Sequence, residues 1–154
     1  MVAAALPAWQ MSRAQRLVQA ENRRVPTPAG ARIGLFPSGA APSGNFPSAI
    51  RRCITESAPV GRVAAVWIGS EIVSVCYCGW ETESLCDLAV FTDPRHRRRG
   101  YAAAAAFHLI GHMQTAGKRA CWLAEDRNTA SSDLARKLGF RASDQTAVFR
   151  NQFS

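Results

Sequence analysis

The segment TDPRHRRRGYAAAAAFHLI, residues 92–110, joins an arginine-rich loop directly to the start of a helix. A strand-forming run precedes the loop, and Gly100 is the last loop residue before the helix-forming run that begins at Tyr101. Unpaired backbone N–H groups and the positive end of the helix dipole meet at such a helix N-terminus, and a glycine lets the backbone approach a ligand closely. The small Ala102 leaves the first turn unobstructed. The segment therefore predicts a strand, a phosphate-binding loop and a helix in succession.

Hydrophobic periodicity predicts the elements on both sides of this loop. Upstream, residues 60–78 alternate around a central IGSE and predict two strands joined by a tight turn. The next run, LCDLAVFT at residues 85–92, predicts a third strand that Pro94 ends. The predicted elements downstream are a helix at 101–116 capped by Gly117, a strand at 120–124, a helix at 129–138 stopped by Gly139, and a strand at 146–150. This order, an antiparallel β-meander followed by β-α-β-α-β, predicts a mixed α/β domain of the α+β type.

The first 59 residues carry weaker patterns. Apolar residues within 8–24 have spacings that predict a short amphipathic helix. A stretch rich in Pro, Gly and Ser follows, in which residues 32–36 indicate a strand and residues 46–57 indicate one or two helical turns. Because the chain has 154 residues, we expect a single domain in which residues 1–59 precede a core at residues 60–150.

The formal net charge is +8, and arginine carries most of it because Lys118 and Lys137 are the only lysines. A basic surface favours a polyanionic partner, which is a nucleic acid, an acidic protein or the phosphates of a cofactor. The chain has no Gly-x-x-x-x-Gly-Lys-Ser/Thr and no Gly-x-Gly-x-x-Gly motif, which disfavours kinases, GTPases and Rossmann dehydrogenases. Because Trp67, Trp80 and Trp122 are not interleaved with the arginines, we expect them in the core, and a nucleic-acid surface is disfavoured.

The number of cysteines and the length of the longest apolar run indicate in which cellular compartment the protein is expected. Five cysteines, an odd number spread through apolar segments, are typical of buried thiols in a reducing cytoplasm. The cysteines supply no second ligand pair, and the HLIGH string from His108 to His112 lacks the glutamate of a zinc helix, so we expect no metal. The apolar run at residues 101–110 is too short to cross a membrane, and residues 1–9 lack the pattern of a signal peptide. We expect a cytoplasmic protein that does not bind a membrane.

Three segments resemble the motifs of one enzyme family. Residues 97–102, RRRGYA, match the Arg/Gln-x-x-Gly-x-Gly/Ala signature of the GNAT superfamily of acetyl-CoA-dependent N-acetyltransferases. Residues 87–94, DLAVFTDP, look like the family's fourth strand, and residues 128–140 resemble its Asn-containing helix that closes with Leu-Gly-Phe. The three segments occur in the family's order, and the resemblance covers residues 60–149. It implies a GNAT-like acyl-CoA N-acyltransferase fold.

The resemblance also implies which residues bind acetyl-CoA. In the family, the backbone of the arginine-rich loop holds the CoA pyrophosphate, and backbone groups of the preceding strand pair with the pantetheine arm. A contact with the cofactor arm is implied for Asn128, which would also serve as a helix N-cap. The implied cofactor-binding residues are Val90, Phe91, Thr92, Arg97, Arg98, Arg99, Gly100, Tyr101, Ala102, Asn128 and Ser131.

Acetyl transfer to an amine requires a base, because an amine with a pKa near 10.4 is protonated at neutral pH. Asp87 is the candidate base, since many relatives carry a glutamate at this position, but a strand-end carboxylate paired with an arginine explains it equally well. Glu125 and Asp126 are second candidates. Where many family members have a tyrosine that acts as the acid, this chain has Ala135, and Ser131 is the nearest hydroxyl.

The resemblance implies that the protein transfers an acetyl group from acetyl-CoA to a primary amine of a small molecule or a protein. Two alternatives stay open. One is a GNAT-like protein that binds acyl-CoA and has lost catalysis, to which Ala135 points. The other is an arginine-rich nucleic-acid-binding domain, to which the net charge points. The sequence is compatible with a homodimer, and it does not identify the acceptor.

Overall fold

Four of the strands predicted from residue 60 onward lie at the centre of a seven-stranded sheet in the computed structural model, and the closing strand lies at its edge. The structure describes residues 9–151. The strands are β1 (Trp9–Gln19), β2 (Ala31–Leu35), β3 (Val63–Ile68), β4 (Glu71–Glu81), β5 (Leu85–Thr92), β6 (Arg119–Glu125) and β7 (Phe140–Asn151). The helices are α1 (Ser48–Ser57), α2 (Tyr101–Thr115) and α3 (Thr129–Lys137). The order across the sheet is β2-β3-β4-β5-β6-β1-β7, and β5 pairs with β6 in parallel.

Two apolar clusters cover opposite faces of the sheet. On one face, Leu109 and Met113 of α2 are buried in a cluster that includes Trp122 of β6. On the other face, the fully buried Ile54 of α1 belongs to a second cluster, against which Phe91 of β5 packs. Consecutive side chains of a strand point to opposite faces, so β3, β4 and β5 contribute side chains to both clusters. This two-sided burial explains why these strands are largely apolar.

The predicted mixed α/β fold is confirmed. The hairpin, the strand at 85–92, the first core helix and the second core helix all form close to their predicted bounds. The strand near residues 32–36 and the helix within 46–57 are present as β2 and α1. The closing strand is longer than predicted and begins at Phe140. No helix within the described range is long and apolar enough to span a membrane.

The helix predicted for residues 8–24 is wrong, because residues 9–19 form β1. This strand lies between β6 and β7 and pairs antiparallel with both. Ala14 and Leu17 are both completely buried, three residues apart, and the alternation of a strand directs them to opposite faces. A strand that is buried on both faces can therefore have apolar residues at spacings that also fit a helix. The expectation that residues 1–9 are not a signal peptide concerns residues that lie almost wholly outside the described range.

The predicted core position of Trp80 is also wrong, whereas Trp67 and Trp122 are buried as predicted. The side chain of Trp80 is 45% exposed, compared with 6% for Trp67 and 1% for Trp122. The cause is an irregularity in β4, where the pairing with β5 shifts between Cys78 and Trp80. An extra residue in one strand changes the direction of the side chains that follow it. Gly79, inside the strand pattern, is a sequence sign of such a bulge.

β5 and β6 diverge after a short parallel contact. They pair only from Leu85 opposite Arg119 to Asp87 opposite Cys121, although β5 continues to Thr92. Beyond Asp87, β5 keeps its antiparallel partner β4, while β6 pairs with β1. The two strands therefore diverge after Asp87, and the point where they separate is the junction of β5 and β6.

Gly139, which ends α3, permits a close backbone contact that a side chain would block. Its φ is 93°, and its carbonyl accepts hydrogen bonds from the amides of Ala20 and Glu21, at 3.1 and 3.3 Å. A Cβ atom at this position would lie 2.3 Å from the carbonyl oxygen of Glu21. The glycine therefore joins the end of α3 to the chain that leaves β1.

We expect Gly139→Ala to lower the free energy of unfolding by more than about 3 kcal/mol, because the backbone clash adds to the strain of a left-handed alanine. The control is Gly117→Ala, at a φ of 74° with no atom within 4 Å of the added Cβ. Left-handed strain alone predicts a loss of about 1–2 kcal/mol for this control. Urea denaturation measures both variants, and equal losses would contradict the importance of the Glu21 contact.

Candidate active site

A cleft of about 800 Å³ lies where β5 and β6 separate. It extends from Asp87 at the junction of the strands to the arginine-rich loop and the first turn of α2. The cleft brings together Asp87, Val90, Phe91, Thr92, Arg97, Arg98, Gly100, Tyr101, Ala102, Asn128 and Ser131. These are all of the site residues predicted from the sequence except Arg99, which does not contribute to the lining.

The loop before α2 has two residues in left-handed conformation. Gly100 has a φ of 81°, and Arg98 has a φ of 61°, which is uncommon for a residue with a side chain. Gly100 is the N-cap of α2, and no side chain accepts a hydrogen bond from the first amides of the helix. Alternating backbone conformations of this kind turn successive N–H groups toward one point, which favours an anion there. The backbone of this loop therefore favours the binding of an anion such as a phosphate.

Asp93 fixes the turn between β5 and this loop. Its side chain is completely buried, and its amide donates to the carbonyl of Val73 at 3.0 Å. The carboxylate accepts hydrogen bonds from the amide of Arg95 at 2.9 Å and from its guanidinium group at 2.7 Å. These bonds lower the pKa of Asp93 to about 2, so the carboxylate stays ionised. Asp93 is not among the site residues predicted from the sequence, although Asp before Pro is a common turn signal.

The edge of β5 that faces the cleft has backbone groups without a strand partner. The carbonyl of Phe91 points toward β4, since it accepts a hydrogen bond from Ser74 Oγ at 3.2 Å. Carbonyl directions alternate along a strand, so the carbonyls of Val90 and Thr92 face the cleft. The Nε atom of Arg97 approaches the Thr92 carbonyl from that side at 3.4 Å. An extended ligand could therefore pair with this edge as an added strand does.

Asp87 has the chemistry of a base that operates near neutral pH. Burial raises the pKa of its carboxyl group from an ordinary value of 3.8 to about 6. A hydrogen bond from the backbone of Leu123, the charge of Arg16 and a hydrogen bond from Trp80 act in the opposite direction without cancelling the effect of burial. No ion pair between Asp87 and an arginine is found among the described residues. The simple ion pair is thus not seen among these residues, and the role of Asp87 as a base stays a prediction.

Asn128 and Ser131 lie on the opposite wall of the cleft at the start of α3. Asn128 Oδ1 accepts a hydrogen bond from the Ser131 amide at 3.2 Å, so Asn128 is the N-cap of the helix. The indole Nε1 of Trp122 donates to Ser131 Oγ at 2.9 Å. Because an indole N–H can only donate, the serine oxygen is the acceptor, and the hydroxyl proton is left for another group. Ser131 can therefore donate into the cleft.

Other predicted candidates lie outside the cleft, and among the lining residues that were not predicted is a lysine. Glu125 forms an ion pair with Arg127 at 3.3 Å, and neither Glu125 nor Asp126 contributes to the lining. Ala135 is completely buried in the core, so its side chain does not reach the cleft either. Lys137, at the end of α3, lines the cleft and adds a cation to Arg97 and Arg98. Its position depends on the packing of α3, which the sequence alone does not give.

The sequence profile described as GNAT acetyltransferase matches residues 60–149, which contain every element of this cleft. The chain belongs to this family. Predicted membership of the GNAT superfamily is therefore confirmed, and the family is one of acyltransferases. No protein of curated function matches the sequence. Among residues 9–151, no group of three or more His, Cys, Asp or Glu residues could hold a metal ion.

Solved structures of GNAT proteins share the fold. A GCN5-related N-acetyltransferase-like protein from Streptococcus suis 89/1591 has a TM-score of 0.73 and 14% identity, over 94% of this chain and 63% of that chain. An acetyltransferase of the GNAT family from Colwellia psychrerythraea has a TM-score of 0.69 and 14% identity, over 93% and 57%. Ard1 from Thermoplasma volcanium has a TM-score of 0.60 and 11% identity, over 80% and 98%. This chain thus spans about three fifths of the first two proteins.

The raised pKa of Asp87 makes the stability of this GNAT protein depend on pH. At pH values between 3.8, the ordinary pKa of the carboxyl group, and about 6, its pKa in the fold, the folded protein holds the proton more tightly than the unfolded chain does. The stabilisation is complete below that window and is lost as pH rises through 6. We therefore expect the effect of Asp87→Asn on the free energy of unfolding, relative to the native chain, to be more favourable at pH 7 than near pH 4. The difference between the two pH values should be up to about 3 kcal/mol.

Urea denaturation at the two pH values measures this difference. The control is Asp133→Asn, which removes an exposed carboxylate that pairs with Arg136 at 3.4 Å and should show no gain at pH 7. A loss of stability in Asp87→Asn that is equal at both pH values would contradict the burial of an ionisable carboxyl group.

Proposed function

We propose that this protein transfers the acetyl group of acetyl-CoA to a primary amine of a small molecule or a protein, in the cytoplasm. The observation that carries this proposal is the separation of β5 and β6 immediately after Asp87. It places a candidate base at one end of a cleft and a phosphate-binding loop at the other end of the same cleft. The free edge of β5 lies between them. One extended thioester cofactor matches all three features.

The charges of the cleft fit the phosphates of CoA. Arg97, Arg98 and Lys137 line it, and Asp87 is the one acid among its described lining residues. The amides at the start of α2 would bind the pyrophosphate, with the helix dipole adding to the attraction. The pantetheine amides would pair with the backbone groups of Val90 and Thr92. A cation at each side of the loop then balances the charge of the bound anion.

The thioester carbonyl would lie beside the cleft-facing backbone of β5. The N–H group of Val90 shares a direction with the Val90 carbonyl, because both groups of a strand residue point to the same edge. This N–H group would polarise the thioester carbonyl and stabilise the oxyanion that forms on attack. Since the group is fixed by the sheet, it needs no rearrangement as charge develops.

Asp87 would take the proton from the acceptor amine, directly or through a water molecule. With a pKa of about 6, the carboxylate is ionised at neutral pH and is more basic than an ordinary aspartate. The amine nitrogen forms the new bond to the acyl carbon, the carbon–sulfur bond breaks, and the electron pair leaves with the thiolate. Asp87 holds the proton of the amine, and the Ser131 hydroxyl would donate to the sulfur.

Protonation of the departing thiolate by an acid matters less for the reaction than deprotonation of the amine by a base. Expulsion of a thiolate with a pKa near 8.5 at pH 7 costs only about 2 kcal/mol relative to the protonated thiol. A serine hydroxyl that stabilises the thiolate by hydrogen bonding is therefore sufficient. Ala135 in the position of the family's tyrosine does not prevent turnover, which weakens the alternative that catalysis has been lost.

Arg98→Asn is expected to weaken acetyl-CoA binding about 3- to 10-fold, because it removes one cation from the phosphate end while asparagine tolerates the left-handed backbone. Arg99→Asn is the matched control, since Arg99 does not line the cleft and its substitution should change affinity less than about 2-fold. Isothermal titration measures both. Absence of acetyl-CoA binding to the native chain at millimolar concentration would reject the proposed function, and equal effects of the two variants would reject the role of Arg98.

Asp87→Asn is expected to lower the rate of acetyl transfer about 10²- to 10⁴-fold while acetyl-CoA affinity stays unchanged, because the residue acts on the amine. Thiol release over a panel of primary amines measures turnover, and titration calorimetry measures binding. In the native protein, kcat/KM should fall with decreasing pH below about 6. Turnover by Asp87→Asn at the native rate would eliminate Asp87 as the base.

A further inference from the structure

The irregularity in β4 lies directly opposite Asp87. Cys78 pairs with Leu88, but the next pair joins Trp80 to Asp87, so Gly79 is an extra residue in β4. A Cβ atom on Gly79 would lie 3.7 Å from Asp87 Oδ2, which shows that the carboxyl group lies against the bulge. Residues directly opposite in an antiparallel pair have side chains on the same face. The bulge therefore directs Trp80 to the same face as Asp87.

Trp80 is placed unusually for a large aromatic residue. Its side chain is 45% exposed, and its carbonyl accepts a hydrogen bond from Cys78 Sγ at 3.1 Å, which fixes the backbone of the bulge. The indole has one polar atom, Nε1, which can only donate. Trp80 lies directly opposite Asp87 in the ladder, which places the two side chains next to each other on one face. The exposed ring thus does not serve the core, and its single donor lies beside the proposed base.

We propose that Trp80 is a positioning residue, whose indole N–H holds the Asp87 carboxylate in one orientation at the junction of β5 and β6. The role of Asp87 in catalysis rests on the proposed function, but the contact of Trp80 with Asp87 does not. A hydrogen bond to the ionised form stabilises that form, so Trp80 opposes the effect of burial. The contact thereby lowers the pKa of the buried carboxyl group and increases its ionised fraction near neutral pH.

Other titratable or charged groups face Asp87 from each neighbouring strand. They are Arg16 on β1, Cys76, Tyr77 and Cys78 on β4, and Cys121 on β6. Burial raises the pKa of Tyr77 to about 12 and that of Cys121 to about 11, so both are neutral from pH 5 to 8. Burial also raises the pKa of Cys76, whereas that of Cys78 is lowered by its hydrogen bond with Cys86. Arg16 is the permanent charge of this group.

Two variants separate the hydrogen bond of Trp80 from its bulk. Trp80→Phe keeps an aromatic ring without a donor, and Trp80→Gln keeps a donor without a ring. Trp80→Phe should raise the pKa of Asp87, and the acidic limb of the kcat/KM profile with it, by about half a pH unit or more. Trp80→Gln should leave both values within about 0.3 units of the native protein, or lower them, since it also admits water.

The pKa of Asp87 is measured by NMR titration of its carboxyl carbon in the cofactor-free protein, with Asp87→Asn to assign the signal. Glu81→Gln is the control, because Glu81 is the next residue in β4 but pairs with Arg62 at 2.8 Å and should leave the titration unchanged. An unchanged pKa in Trp80→Phe, or equal upward shifts in both Trp80 variants, would overturn the proposal. Absence of acetyl transfer by the native chain would reject the proposed function alone, since the titration still decides the role of Trp80.

Discussion

The end of the parallel pairing between β5 and β6 determines the rest of the site. The two strands share only three residue pairs, the last of which is Asp87 opposite Cys121. From that point β5 keeps β4 as its partner and β6 keeps β1, so each strand has one satisfied edge and one edge that faces the cleft. Backbone groups on such an edge need a partner. A strand-like ligand can supply it, and the cleft is therefore a property of the sheet rather than of a loop.

Burial at the same junction raises the pKa of Asp87 and lowers the stability of the folded protein when the carboxyl group is ionised. A carboxyl group with a pKa of about 6 is less stable in its ionised form than it would be in water. The hydrogen bonds from Leu123 and Trp80 recover only part of that difference. Functional sites commonly retain such unfavourable groups because the shifted pKa is what the reaction needs. The stability and the basicity of this residue are thus two results of one environment.

The sequence predicted the parts of the molecule in which local pattern and final environment agree. From residue 60 onward, the strands and helices have the periodicity of the surfaces that they bury, and the loop before Tyr101 has recognisable chemistry. β1 was mistaken for a helix because its neighbours, β6 and β7, are formed by residues more than 90 positions away in the chain. Trp80 and Lys137 were misplaced or missed because a bulge and the packing of α3 orient them. Contacts distant in sequence decide the position of β1, whereas the bulge that orients Trp80 lies within the β4–β5 hairpin, where Trp80 pairs with Asp87.

The distribution of charge gives the cleft a direction. Several arginines elsewhere are paired with acids, such as Arg62 with Glu81 and Arg141 with Glu21. Arg98 and Lys137 instead line the cleft, and Arg98 belongs to the loop at the end away from Asp87. A cofactor with phosphates at one end and a thioester at the other would bind in a single orientation, because the reverse would place phosphates beside a carboxylate.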